Sequence, residues 1–273
     1  MQNCVGFIGL GQIGKPMAIN VANSGFDLVV YDLQENPIKE LAGFGAKPAS
    51  SVYEVGRHSE IVQVALRDGV QVEEIVLGES GLLESMSAES AIVVHSTIHP
   101  KIVTRIAELA KARRIGVIDA AISGGETGAR ERKLEYMVGG DEKWVEKCRP
   151  VLNASGEKIF HVGEVGRGLA AKLSHQLILC INMISAHEGV LLGQRAGVDP
   201  KLLQEIVHHG SARSGVMDNW GHYGRAYDKA PQGFSLFYKD LGVALEYAHD
   251  LGISLPAAGL VQQLINRVLG LEK

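Results

Sequence analysis

The segment CVGFIGLGQIGKPMA, residues 4–18, restricts the fold more than any other part of the chain. Gly9, Gly11 and Gly14 stand in a G-x-G-x-x-G arrangement, after a short apolar run and before an amphipathic run from about Gly11 to Asn23. Between a strand and a helix this spacing has a physical meaning. Gly9 permits a tight turn, Gly11 lets a pyrophosphate approach the backbone, and Gly14 lets the helix pack on the strand. Helix amides and the positive dipole end then face the phosphates. Gly9, Gly11, Gln12, Ile13 and Gly14 are therefore cofactor-binding candidates. DLVVY reads as a second buried strand, and Asp32 follows it. An acid at that place accepts hydrogen bonds from both adenine-ribose hydroxyls and repels a 2′-phosphate, so NAD is expected in preference to NADP. Lys39 is the nearby cation that would have to reach round to admit NADP. The plainer reading of Asp32 is a turn or cap residue ahead of Pro37.

The apolar runs EIVQVAL, AIVVHS and GVIDAA alternate with helical segments such as 101–114, a pattern that predicts a parallel, doubly wound sheet. Strand signals stop after KIFHVG. From Gly166 the pattern is helical: one long segment to about Ala196, a second opening at Asp199-Pro200, and a third after Lys239. The expected architecture is α/β. A Rossmann-type domain over 1–164 precedes an all-α domain over 165–273, and a long interdomain helix joins them.

Charge and cysteine content narrow the partners. With 27 Lys and Arg against 31 Asp and Glu the net charge is −4, and the basic residues are scattered, so neither a nucleic acid nor a membrane surface is expected. Cys4, Cys148 and Cys180 are odd in number and far apart, which fits reduced thiols in a cytoplasmic protein. No CxxC or HExxH spacing implies a metal. No cationic region precedes the first apolar strand, and no uninterrupted apolar run approaches 18 residues. A soluble, unprocessed chain that handles a small molecule is the expectation.

The run GRGLAAKLSHQLILCINMIS, residues 166–185, places Lys172, His175 and Gln176 on one side of a helix, beside the apolar row Leu169, Leu173, Leu177, Cys180 and Ile184. By themselves these residues admit two readings. In one, Lys172 extends its stem to solvent and His175 is a satisfied core histidine. In the other, the triplet lines a crevice. Three further segments bear on the choice. VVHSTIHP ends a strand with Ser96 and Thr97, DAAISGGETGA ends another with Ser123, Gly124 and Gly125, and FSLFYKDLGVALEYA sets Lys239-Asp240 at the opening of a helix. Ligands of doubly wound sheets bind beyond the carboxyl ends of strands.

Taken with the glycine loop, these segments resemble the β-hydroxyacid dehydrogenase family over essentially the whole chain. The resemblance implies that Ser96 and Thr97 flank the nicotinamide and that Ser123, Gly124 and Gly125 bind the substrate carboxylate. It implies that Lys239 meets the cofactor side and that Lys172, four residues after the Gly166-Arg167-Gly168 pair, is the catalytic lysine. His175 and Gln176 then face the substrate. One departure is His175, where the family usually has asparagine; histidine titrates near neutral pH, an amide does not. Another is Leu66-Arg67 in place of the family's Leu-Pro.

The implied chemistry is reversible hydride transfer between NAD, with NADP as the second choice, and the carbinol of a 3-hydroxy acid, with Lys172 as general acid/base. A base at this position must be neutral, which burial favours. The implied partners are a hydroxy acid and further copies of the chain, as a homodimer or homotetramer. Two other readings stand beside this one: an imine reductase-like enzyme on the same fold, and a dinucleotide-binding scaffold without activity.

Overall fold

The computed structural model describes residues 4–224 and 235–268. Eight strands, β1 (Cys4–Ile8), β2 (Asp27–Tyr31), β3 (Lys47–Pro48), β4 (Ile61–Val64), β5 (Ala91–Val94), β6 (Gly116–Ser123), β7 (Leu134–Gly139) and β8 (Gly156–His161), form one sheet. Their order is β3-β2-β1-β4-β5-β6-β7-β8. The strand order reverses between β1 and β4, directly beside the glycine loop, where a doubly wound sheet opens its ligand crevice. The sheet is parallel as expected save at one place, where β6 and β7 run antiparallel. Residues 124–133 connect them, a span too short for the parallel crossover, which takes roughly a dozen residues or more. β7 itself, LEYMVG, was not among the expected strands.

Side chains alternate between two buried layers. On one face Val5, Phe7, Val93, Ile118 and Ala120 pack with Met17, Val21, Leu41, Val145 and Cys148, which lie on helices Gly14–Asn23, Glu35–Ala42 and Glu142–Leu152. On the other, Val62, Ile92, Val94, Val117 and Ala121 pack with Val72, Val76, Val103 and Ile106 of helices Gly69–Leu77 and Pro100–Lys111. Leu169 joins this second layer. Burying each larger side chain contributes roughly 1.5–3 kcal/mol, which is what commits both sheet faces to helices. The three cysteines are free thiols, and burial pushes that of Cys148 up to about 12.

The chain divides into two compact units, Met1–Lys172 and Leu173–Lys273. The division falls inside helix Arg167–Arg195, whose first turns are bonded to β6. This 29-residue helix is, by length and composition alone, apolar enough to cross a membrane. Lys172 and His175 interrupt the apolar run in the text, so the sequence pattern did not show this. The expected apolar row is buried at Leu169, Leu173, Cys180 and Ile184 and partly buried at Leu177.

In the second unit, Cys180, Met183, Ile184, Val190, Val216, Leu241, Val261 and Ile265 form a core of their own. Asp199 caps helix Pro200–His209 by accepting from the amides of Lys201 and Leu202, each at 3.0 Å, as the Asp-Pro pair predicts. Lys239 does not open its helix. It is the fifth residue of Ser235–Asp250, because the helical pattern extends upstream through Phe237.

Candidate active site

The glycine loop is held from the next strand. Asp32 Oδ2 accepts the Leu10 amide at 2.6 Å and its Oδ1 accepts the Gln34 amide at 2.8 Å. The carboxylate thus ties the end of β2 to the loop after β1, and each oxygen keeps a lone pair for a further donor. A Cβ on Gly14 would overlap the Gly9 carbonyl, which gives the close helix–strand approach its cause. At Gly11 a Cβ would meet nothing within 4 Å, so that side of the loop is open. Helix Gly14–Asn23 starts without a side-chain cap and without an acidic residue in its first turn, so no side chain of its own occupies that end, while the Lys15 amide is bonded to the Gly11 carbonyl at 3.0 Å and Pro16 has no N–H. Two lysines near the ribose end are engaged by glutamates: Lys39 with Glu35 at 2.7 Å and Lys15 with Glu40 at 2.8 Å. Gln12 donates to Glu126 at 2.8 Å, joining the glycine loop to the segment after Gly125.

At the end of β5, Ser96 is buried and its hydroxyl accepts the Leu66 amide at 2.8 Å, so it links two strand ends. Thr97 beside it is partly exposed. Neither caps the following helix: His99 does, with Nδ1 accepting the Lys101 amide at 3.2 Å. Beneath Ser96 lies His95, fully buried and stacked on Phe7. Burial pulls this imidazole down to about 4, so the ring is neutral. Its Nδ1 donates to the Ala120 carbonyl at 2.8 Å, which leaves Nε2 as an acceptor 2.9 Å from the Gln63 head group. The Gln63 amide nitrogen must therefore be the atom facing Nε2, and that orientation satisfies a group otherwise buried without a partner. Sequence reasoning missed this pair, since a histidine and a glutamine in apolar strands carry no spacing signal.

β6 ends in Ser123, half-buried, and the chain then turns through Gly124 and Gly125, both exposed and both with positive φ. Four residues earlier on the same strand face is Asp119, fully buried. Its carboxylate accepts the amides of Gly166 at 2.6 Å and Leu169 at 2.7 Å. Burial raises this acid to about 6, with the backbone donors opposing the rise. Asp119 was also missed, although a lone acid inside GVIDAA is a readable signal: an acid in a two-sided apolar strand needs donors. Lys172 is buried, at 8 % exposure, as the sixth residue of helix Arg167–Arg195.

The second unit holds the remaining candidates. Gln176 is buried and His175 exposed, so the expected side-by-side triplet is unequal in depth. A chain of hydrogen bonds ending in an ion pair runs through them. His175 Nδ1 lies 3.2 Å from Gln176 Oε1, Gln176 Nε2 donates to Asp240 Oδ2 at 2.7 Å, and Lys239 Nζ lies 2.9 Å from Asp240 Oδ1. Asp240 is the member that the sequence reading quoted without assigning it a role.

Residues 4–163 match the family model described as the NAD binding domain of 6-phosphogluconate dehydrogenase, and residues 166–271 match that described as NAD-binding of NADP-dependent 3-hydroxyisobutyrate dehydrogenase. The chain belongs to the β-hydroxyacid dehydrogenase family. As a member of that family it is an NAD(P)-dependent oxidoreductase of hydroxy acids. It is 35 % identical to 2-(hydroxymethyl)glutarate dehydrogenase of Eubacterium barkeri, over 98 % of this chain and 91 % of the relative. It is 36 % identical to 2-hydroxy-3-oxopropionate reductase of Escherichia coli, over 96 % and 90 %. The fold is that of Mycobacterium tuberculosis 3-hydroxyisobutyrate dehydrogenase solved with L-serine, at a TM-score of 0.90 and 24 % identity, covering 99 % of this chain and 94 % of that one. For a β-hydroxyacid dehydrogenase the first unit fits its dinucleotide: the space at Gly11, the uncapped helix start and the spare lone pairs of Asp32 are what a pyrophosphate and a ribose require.

Proposed function

We propose that the protein interconverts a 3-hydroxy acid and its 3-oxo acid or semialdehyde, with NAD preferred, and that Lys172 is the general acid/base. The observation that carries this reading is Lys172 itself, a lysine buried in the second turn of a helix whose start is bonded to the strand ending in Ser123. The dinucleotide, when bound, supplies the hydride acceptor in oxidation and the donor in reduction. In oxidation the neutral Lys172 amine takes the hydroxyl proton at Nζ as the carbinol becomes a carbonyl. In reduction the ammonium returns that proton to the forming alkoxide. Ser123 Oγ and the amides at Gly124 and Gly125 hold the substrate carboxylate through charge-assisted hydrogen bonds, which orient the carbinol and do not merely enclose it. Thr97 flanks the reacting end, Ser96 fixes Thr97 through its bond to Leu66, and Lys239 serves the cofactor side.

NADH formation on a panel of L-serine, 3-hydroxyisobutyrate and 2-(hydroxymethyl)glutarate, with reduction of 2-hydroxy-3-oxopropionate, tests the reading. Turnover of at least one is expected. NADH binding with no turnover of any would favour the scaffold. An imine reductase usually lacks a lysine at this position, so Lys172 speaks against that alternative, and reduction of a cyclic imine in preference to every acid would favour it. Self-association as a homodimer or homotetramer is part of the same proposal. Ile178, Leu192, Leu202, Ile206 and Leu260 expose apolar side chains, which association would cover. Light scattering at the monomer mass would remove it.

His175 is the residue by which this chain departs from its family at the substrate. Charging it one helical turn from Lys172 opposes the ammonium, so the two ionisations are coupled. The expected result is an acid limb of the oxidation pH–rate profile that moves when His175 becomes asparagine, with a changed ranking of the acids and NADH affinity little altered. A profile and a ranking both indifferent to the change would make the histidine a bystander.

A further inference from the structure

The start of helix Arg167–Arg195 lacks a cap of its own. The residue before it is Gly166, with φ of +90°; its carbonyl accepts the Ala170 amide at 3.0 Å, but it has no side-chain oxygen for the amides before that one. An acceptor for them comes from elsewhere in the chain. Asp119 on β6 accepts the amide of Gly166 at 2.6 Å and that of Leu169 at 2.7 Å, and the Gly168 amide is also directed at it. The packing around the carboxylate leaves no slack. A Cβ on Gly168 would overlap the Met137 carbonyl of β7 and stand 2.8 Å from both Asp119 Oδ2 and the Gly139 amide, and one on Gly139 would stand 2.6 Å from both Asp119 Oδ1 and the Glu164 carbonyl. A buried acid held by backbone donors on one side and by two glycine backbones on the other can occupy one position only. Leu169 packs in the same layer as Ala121, two residues beyond Asp119.

We propose that Asp119 is a positioning residue for Lys172: by capping the helix from β6, it sets the depth and rotation of the lysine relative to Ser123 on the same strand. Lys172 is three residues after Leu169, one turn along the same helix face, a rise of about 4.5 Å. Ser123 is four residues after Asp119 on the same strand face, about 13 Å away. The carboxylate is thus the common origin from which the proposed base and the proposed carboxylate holder are both measured. A helix end left to water would fray and rotate, and a misplacement of about 1 Å at a reacting group can cost on the order of 10²-fold in rate.

This inference rests on the reading of Lys172 as general acid/base, and its test keeps the two apart. Asp119→Asn retains the volume but presents an amide nitrogen to part of its set of backbone donors. Gly168→Ala keeps every charge and forces the helix start away from the Met137 carbonyl and from Asp119 Oδ2. With the panel acid that the wild type oxidises fastest, both variants are expected to lose at least ~10-fold in kcat. KM for the acid and NADH affinity by fluorescence should stay within about threefold, because only the position of the base has changed. A folded variant with kcat within about twofold of wild type overturns the inference, as does a loss confined to KM. Hydrogen exchange on the wild type decides the case even where neither variant folds. The amides of Gly166 and Leu169 are expected to be protected, and exchange at the rate of an unstructured chain overturns the cap. Lys172→Ala is assayed in parallel. If it retains turnover, the acid/base reading fails and this inference with it; if it loses turnover while Asp119→Asn retains it, this inference alone fails.

Discussion

Replacing Lys172 by alanine is expected to lower kcat by at least ~10²-fold while leaving NADH affinity nearly unchanged, the usual scale for a lost general acid/base. The separation of the two effects follows from where the groups lie. The glycine loop and Asp32 are built at the ends of β1 and β2, with hydrogen bonds among Leu10, Asp32 and Gln34 that do not involve the helix of Lys172. Alanine is the best helix former, so the substitution does not oppose the helix. The Asp119 bonds to Gly166 and Leu169 use backbone amides and survive it. The buried stem is lost, so a melting temperature is measured beside turnover to show that the variant is folded. Titration of NADH fluorescence and steady-state turnover complete the test. Retained turnover in a folded Lys172→Ala would return the lysine to a structural role.

The second large effect is expected at Asp32. Wild type should use NAD with a higher kcat/KM than NADP, because a carboxylate at this place can accept from ribose hydroxyls and would repel a 2′-phosphate. The structure adds a consequence, since this carboxylate also accepts the Leu10 amide that holds the glycine loop. Asp32→Ala therefore removes two things at once, the discriminating charge and the loop's anchor, and leaves a partly buried amide unsatisfied at a cost of about 1–3 kcal/mol. In Asp32→Asn the side-chain oxygen can still accept from Leu10 while the charge is gone. Use of NAD should accordingly fall by an order of magnitude or more in the alanine variant and less in the asparagine variant, with discrimination against NADP reduced in both. Equal or better use of NADP by the wild type would remove Asp32 as the determinant, whatever the variants do.

These two residues also differ in how they were found. Asp32 is legible because a glycine loop, a strand and an acid at fixed spacing describe one local unit, and local geometry is what sequence spacing encodes. The same holds for Asp199-Pro200 at a helix start and for the alternation of strands and helices up to β6. The helical row at Leu169, Leu173, Cys180 and Ile184 was equally plain, since burial with a period of 3.6 is written directly in residue order. Lys239 was found but misplaced within its helix. The residues that extend it upstream are Ser235, Leu236, Phe237 and Tyr238.

What the sequence determined by itself was the glycine loop at a strand–helix junction, the doubly wound class and the helical second half, whereas the spacing around Lys172 left two readings open and only the family resemblance chose between them. Only the tertiary structure decided the antiparallel turn of β7, the neutral His95 with its Gln63 partner, the link from Gln176 to Asp240 and the cap of Asp119 on a helix 47 residues away. These are pairings between distant segments. A buried polar group states in the sequence only that it must have a partner, and which partner it has depends on strand order and helix approach, which residue spacing does not contain.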